Sequence, residues 1–108
     1  MKDKELEINY SPELDIMSVD DMSREYERSV QTGDFIIDLD SEGEVRGVEI
    51  QNISRILGVD REQLQNVSDV ELQMISDEGK TQITVRLNIE EQRTTLAAQL
   101  NQPDLSRA

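Results

Sequence analysis

The sequence predicts an α+β fold made mainly of antiparallel β-hairpins, with about six or seven short strands, one or two short helices and a C-terminal helix. Three observations carry this reading. Apolar and polar residues alternate in several separate runs, the period of half-buried strands. Pro12, Gly33, Gly43, Gly58 and Gly79 punctuate those runs at turn spacing. The last run, EEQRTTLAAQL, places Ile89, Arg93, Leu96, Ala97 and Leu100 on a helical stripe that ends before Pro103.

In LEINY, Leu6, Ile8 and Tyr10 alternate with polar residues, and Pro12 breaks the run. LDIMSV follows as a second strand, so a hairpin is the economical link. DDMSREYERSVQTG is ambiguous: Tyr26 and Val30 sit four apart, as on a helix, while Gly33 ends the segment. DFIIDLD and EVRGVEI form a pair around a three-residue loop, Ser41-Glu42-Gly43, with Gly43 left-handed. That register sets Leu39 against Val45, Asp38 against Arg46 and Ile36 against Val48. It also places Glu49 on the side of Phe35, Ile37, Leu39 and Val45. QNISRIL then reads as a short helix, capped by Asn52 and stopped by Gly58, and VDREQLQN adds another turn.

A second hairpin joins VELQMIS to TQITVRLNI. Pairing Asp77 with Lys80 across Glu78–Gly79 sets Met74 against Ile83, Leu72 against Val85 and Glu71 against Arg86. Glu90 and Glu91 suit the first turn of the expected C-terminal helix. The expected organisation is one small acidic domain over 1–102, with a β unit at 7–57 and the second hairpin and helix at 58–102. Residues 103–108 are expected to fray.

Leu, Ile, Val and Phe number 29 of 108 residues, above the roughly 20% level below which a charged chain stays disordered. Aromatic residues make up only 3% of the chain, so the core must be aliphatic. The net charge of −13 repels phosphate backbones and anionic membranes and attracts basic proteins or cations. Eight Arg against three Lys, with acids spread along the chain, also suits adaptation to concentrated salt. With neither Cys nor His, there is no thiolate nucleophile, no imidazole base and no cysteine cluster. No apolar run approaches the roughly 18 residues of a membrane span, and MKDKELE lacks the apolar core of a signal peptide. A cytoplasmic protein is the expectation.

The stretch DLDSEGEVRGVE sets Asp38, Asp40, Glu42, Gly43 and Glu49 near the spacing of a calcium-binding EF-hand loop. Such a loop needs a helix on each side, whereas Phe35-Ile36-Ile37 after Gly33 is strand-like. At strand rise, moreover, Glu49 lies about 10 Å or more from the turn. A hairpin is therefore expected, with no metal, cofactor or catalytic residue assigned. Calcium binding by the acidic turn 38–43 is the alternative. A carboxylate enzyme using Asp15 and Glu49 with a Lys or Tyr is a weaker one, since nothing brings such a pair to a recognisable spacing. Asp15 reads as a strand or turn carboxylate on the solvent side.

NYSPELDIMSV and DFIIDLDSEGEVRGVEIQNISRIL together resemble a small prokaryotic family, domain of unknown function 2283, over about residues 7–57. Tyr10, Pro12, Glu13 and Asp15 match its opening. Asp38, Asp40, Gly43, Val45, Gly47, Val48, Glu49 and Ile50 match its closing pattern. Ser11 departs from the family's usual Asp, and Ser18 from its frequent Tyr. The resemblance implies a short, irregular strand before Gly33, and it brings no activity, catalytic residue or cofactor. Some members are encoded beside small toxin-like proteins, which implies by analogy an antitoxin-like role. The expected function is accordingly a non-catalytic protein-interaction module. It would bind a basic protein or a second copy of itself (a homodimer) through sheet edges and the C-terminal helix, with no direct contact to nucleic acid or membrane.

Overall fold

A computed structural model of the chain describes residues 5–101 and shows a mainly antiparallel β protein with eight strands in two sheets. The first sheet holds β1 (Leu6–Ser11), β2 (Ile16–Asp21), β3 (Arg28–Thr32), β4 (Phe35–Leu39) and β5 (Val45–Gln51), in the order β1-β2-β5-β4-β3. A short helix, α1 (Ile53–Leu57), and a 3-10 turn (Gln63–Asn66) lead into the second sheet. That sheet is a meander of β6 (Val67–Asp77), β7 (Lys80–Ile89) and β8 (Gln92–Asn101). The tail expected to fray at 103–108 lies outside the described residues.

The α+β expectation is corrected here, because the C-terminal helix is a strand. Ile89 pairs with Gln92 across Glu90–Glu91, and both turn residues have positive φ, 47° and 70°. Two left-handed residues in a row define the turn that suits the twist of a tight hairpin. Sequence signals for that turn are Asn-Gly or Asp-Gly, and two glutamates disguise it. Leu96, Ala98 and Leu100 then alternate inward with Thr94 half-buried, whereas Arg93 and Ala97 of the expected stripe are exposed. Residues 96 and 100 fit either period; the intervening Ala98 decides for the strand.

The other hairpin of this sheet has the expected register, with Asp77↔Lys80, Met74↔Ile83, Leu72↔Val85 and Glu71↔Arg86. A bulge at Asp69, φ 46°, extends β6 back to Val67. In the first sheet Leu39↔Val45 is as expected, but Asp38 pairs with Gly47 and Ile37 with Val48. Arg46 is the extra residue of a β-bulge. The bulge has a physical reason: Val45, Val48 and Ile50 must all face the core, and a three-residue gap cannot do so on a regular strand.

The core is aliphatic and continuous across both sheets. Met17, Val19, Ile37, Leu39, Val48 and Ile50 from the first sheet share one cluster with Ile83, Val85, Leu87 and Leu96 from the second. Ile53 and Leu64 close it from the helix and the 3-10 turn. Beyond this shared core, β1 comes near β6 and β3 near β8.

Candidate functional site

The acidic side chains of the first sheet divide into two sets with different surroundings. One set is buried and satisfied within the fold. Asp15, expected on the solvent side, is instead buried: 4% exposed and left-handed at φ 55°, it sits in the β1–β2 turn. It accepts hydrogen bonds from the Tyr10 hydroxyl (2.8 Å), the Ser54 amide (3.1 Å) and the Ser54 hydroxyl (2.7 Å). It therefore supplies, from another element, the cap expected of Asn52. Asn52 makes no side-chain cap and instead donates to Asp34 at 3.2 Å. Gly58 does stop α1, in the left-handed conformation at φ 67°. Burial pushes the Asp15 pKa up, but the Ser54 and Tyr10 hydrogen bonds and the Arg61 charge outweigh it and leave the carboxyl below its usual range. Burial, with the bond to Asp15, raises Tyr10 to about 12.

Asp21 and Asp40 complete the buried set. Asp21, 1% exposed, accepts the amides of Glu5 and Ser23 and the Ser23 hydroxyl. Asp40 accepts the amides of Glu42 (2.9 Å) and Glu44 (3.0 Å) and the Arg24 guanidinium (2.8 Å). In both, burial raises the pKa. Hydrogen bonds, led by the Ser23 hydroxyl for Asp21 and the Glu44 amide for Asp40, together with Arg24 bring the net shift down. The stretch resembling a calcium loop is thus a hairpin turn. Gly43, at φ 80°, closes it by donating to the Asp40 carbonyl at 3.1 Å, and Asp40 uses its oxygens on the turn and on Arg24. Among the described residues no three acidic side chains are grouped to hold a metal ion.

The second set lies on the outer face. Because of the bulge, one row runs Glu7–Asp20–Gly47–Asp38–Ser29 across all five strands. The next row is Asn9–Ser18–Glu49–Ile36–Gln31. Glu49 therefore stands on the solvent side with Asp38, opposite the face the unbulged register gave it. Asp20 packs against Gly47, where an added Cβ would strike the Asp20 carboxylate and meet the Val19 carbonyl at 3.0 Å. Arg46, the bulged residue, reaches over this row to Asp20 at 3.1 Å and to the Arg24 carbonyl at 3.2 Å. Ser29 donates to Asp38 at 2.6 Å. Burial raises the pKa of Asp20; Arg46 opposes that rise, Asp38 and Glu7 add to it, and the net shift is upward.

Of the residues the sequence singled out, the fold joins Tyr10 with Asp15 and leaves Glu49 on the other face of the sheet. Sequence reasoning missed Glu7, Asp20 and Arg46. The signal was present in the 45-48-50 apolar spacing, which announces the bulge that aligns the row.

These features define a small antiparallel β protein with a satisfied set of internal acids and an outward acidic row. Residues 7–54 match the model of a family described as Protein of unknown function (DUF2283), so the first sheet and the start of α1 carry that family's pattern. No curated protein and no solved structure matches the chain. Among the described residues no helix is long and apolar enough to cross a membrane.

Proposed function

We propose that the protein is a non-catalytic interaction module that binds a basic protein through the outer face of its first sheet. The observation that carries this reading is Glu7 directly opposite Asp20, with Asp38 two strands further on, across Gly47. Like charges at opposed positions destabilise a sheet; burial is the main cause that raises the pKa of Asp20, and the Asp38 and Glu7 charges add to it. A local conflict kept in an otherwise consistent fold is the expected mark of a binding surface. A cationic partner would relieve it.

The internal acids support the non-catalytic part. Asp15, Asp21 and Asp40 have their oxygens occupied by hydrogen bonds that order a helix end and two turns. Tyr10, at about 12, is a poor acid or base near neutrality.

Pull-down from native lysate at native salt tests the proposal, with wild type beside an Glu7→Gln/Asp20→Asn/Asp38→Asn variant and a control variant, Glu78→Gln/Glu91→Gln. The wild type and the control are expected to retain a basic protein that the row variant loses. Recovering only the bait at every salt concentration, or equal capture by the row variant, refutes it.

A further inference from the structure

We infer that the outer edge of β8 is a second, independent interface, at which the protein pairs with another copy of itself. A strand at a sheet edge offers a row of unpaired backbone groups, and natural proteins block such edges with charge, bulges, proline or brevity. The four edge strands here are β1, β3, β6 and β8. Three of them carry such devices. In β1 the six-residue strand includes Glu7, with Glu5 just before it; β3 is five residues long and opens on Arg28. In β6 there is the bulge at Asp69, together with Glu71 and Asp77.

Edge strand β8 has no acid, no bulge and no proline, and it is not short. Its ten residues, QRTTLAAQLN, pair with β7 in unbroken register. It contains no acid, although 24 of the chain's 108 residues are acidic, and its one charge is Arg93 near the start. No strand among the described residues pairs with its outer side.

The hairpin geometry says which groups face outward. In a two-residue hairpin the closing pair, here Ile89 and Gln92, exchanges both backbone bonds, and bonded pairs then alternate along the ladder. Residues 92, 94, 96, 98 and 100 spend their amides on β7. Arg93, Thr95, Ala97 and Gln99 turn theirs to the open edge.

Charge selects the occupant. A basic partner gains nothing from an acid-free strand, whereas a second copy of a −13 chain is repelled almost everywhere else. An antiparallel pairing about a two-fold axis near Leu96–Ala97 opposes no two charged residues: Thr, Ala, Leu and Gln face one another, and Arg93 lies across from position 99 or 101. The two meanders would then form one six-stranded sheet.

Sedimentation equilibrium of the full chain in high salt, from micromolar to millimolar concentration, tests this. The mass is expected to rise from 12.4 kDa towards twice that value. Salt strengthens the association by screening self-repulsion, opposite to its effect on a basic partner, so this interface and the acidic row succeed or fail separately. Ala97 is exposed, so Ala97→Lys and Ala97→Glu should fold; each alone should stay at monomer mass, and an equimolar mixture should restore the dimer. In the wild type the amides of Thr95, Ala97 and Gln99 should gain exchange protection as concentration rises, a readout that needs no variant. A mass of one chain throughout the range, a dimer in which those three amides exchange freely, or monomeric single variants that fail to pair when mixed would each overturn the inference.

Discussion

The two sheets reach stability by different means. The described residues up to 66, which include the whole first sheet, carry 16 Asp and Glu against five Arg, a net −11; residues 67–101 carry six against three, a net −3. In the first sheet, strands of five to seven residues are tied by buried carboxylates that reach across turns. In the second, strands of ten or eleven residues rely on an unbroken apolar alternation, Ile83, Val85, Leu87 and Ile89, with ion pairs from Glu71 to Arg86 and Arg93 outside. Short strands bury too little apolar surface to fix their own turns, so polar groups are recruited to do it. Long strands need no buried carboxylates, pair charges on their outer face, and leave one edge without acid.

The contrast can be broken from either side. The largest effect belongs to the second sheet: Ile83→Ala, at a fully buried central position, should cost about 3 kcal/mol in urea unfolding. That cost should not change between neutral pH and pH 5, since no titrating group is involved.

Asp15→Ala should come next, at about 2 kcal/mol near neutrality, because it leaves Tyr10 and the start of α1 without their acceptor. Its pH dependence runs in a definite direction. The folded pKa lies below 3.8, so the stabilisation from Asp15 is present above that value and is lost as pH falls through the folded value. The gap between wild type and variant should therefore narrow in acid. An unchanged gap would mean that Asp15 acts by shape alone.

Gly47→Ala should cost about 1–2 kcal/mol, since the new methyl meets the Val19 carbonyl and the Asp20 carboxylate. The smallest effect has the opposite sign. The folded pKa of Asp20 is raised, so its stabilising share is present below 3.8 and lost as pH rises through the folded value. Asp20→Asn should slightly raise the melting temperature at neutral pH and leave it unchanged in strong acid. A lower melting temperature at neutral pH would show that the Arg46 pair outweighs burial and the neighbouring carboxylates.

Much of this fold was legible in the sequence. Alternation placed β1, β2, β4, β5, β6 and β7, and Gly43 and Gly79 announced their turns. The Asp77↔Lys80 register followed from keeping Met74 and Leu72 on one face. Three features were hidden for physical reasons. Glu90–Glu91 adopts a turn for which glutamate is a poor signal, so β8 was read as a helix. The Arg46 bulge moved Glu49 across the sheet, although the spacing of Val45, Val48 and Ile50 required a shift. The cap on α1 comes from Asp15, 38 residues before the first helical residue, and no local pattern can announce a cap supplied through tertiary structure. The outward row was invisible for a related reason: Asp38 joins the row of Glu7 and Asp20 only once the bulge fixes the register of β4 on β5.

Amide chemical shifts followed during titration with a short lysine-rich peptide, at native salt, test the division of labour most directly. The largest shifts should fall on β1, β2, β4 and β5 around Glu7, Asp20, Asp38 and Glu49, with β7 and β8 nearly unmoved. Shifts led by the second sheet, or spread evenly over every exposed acid, would contradict the assignment of the first sheet's outer face as the binding surface.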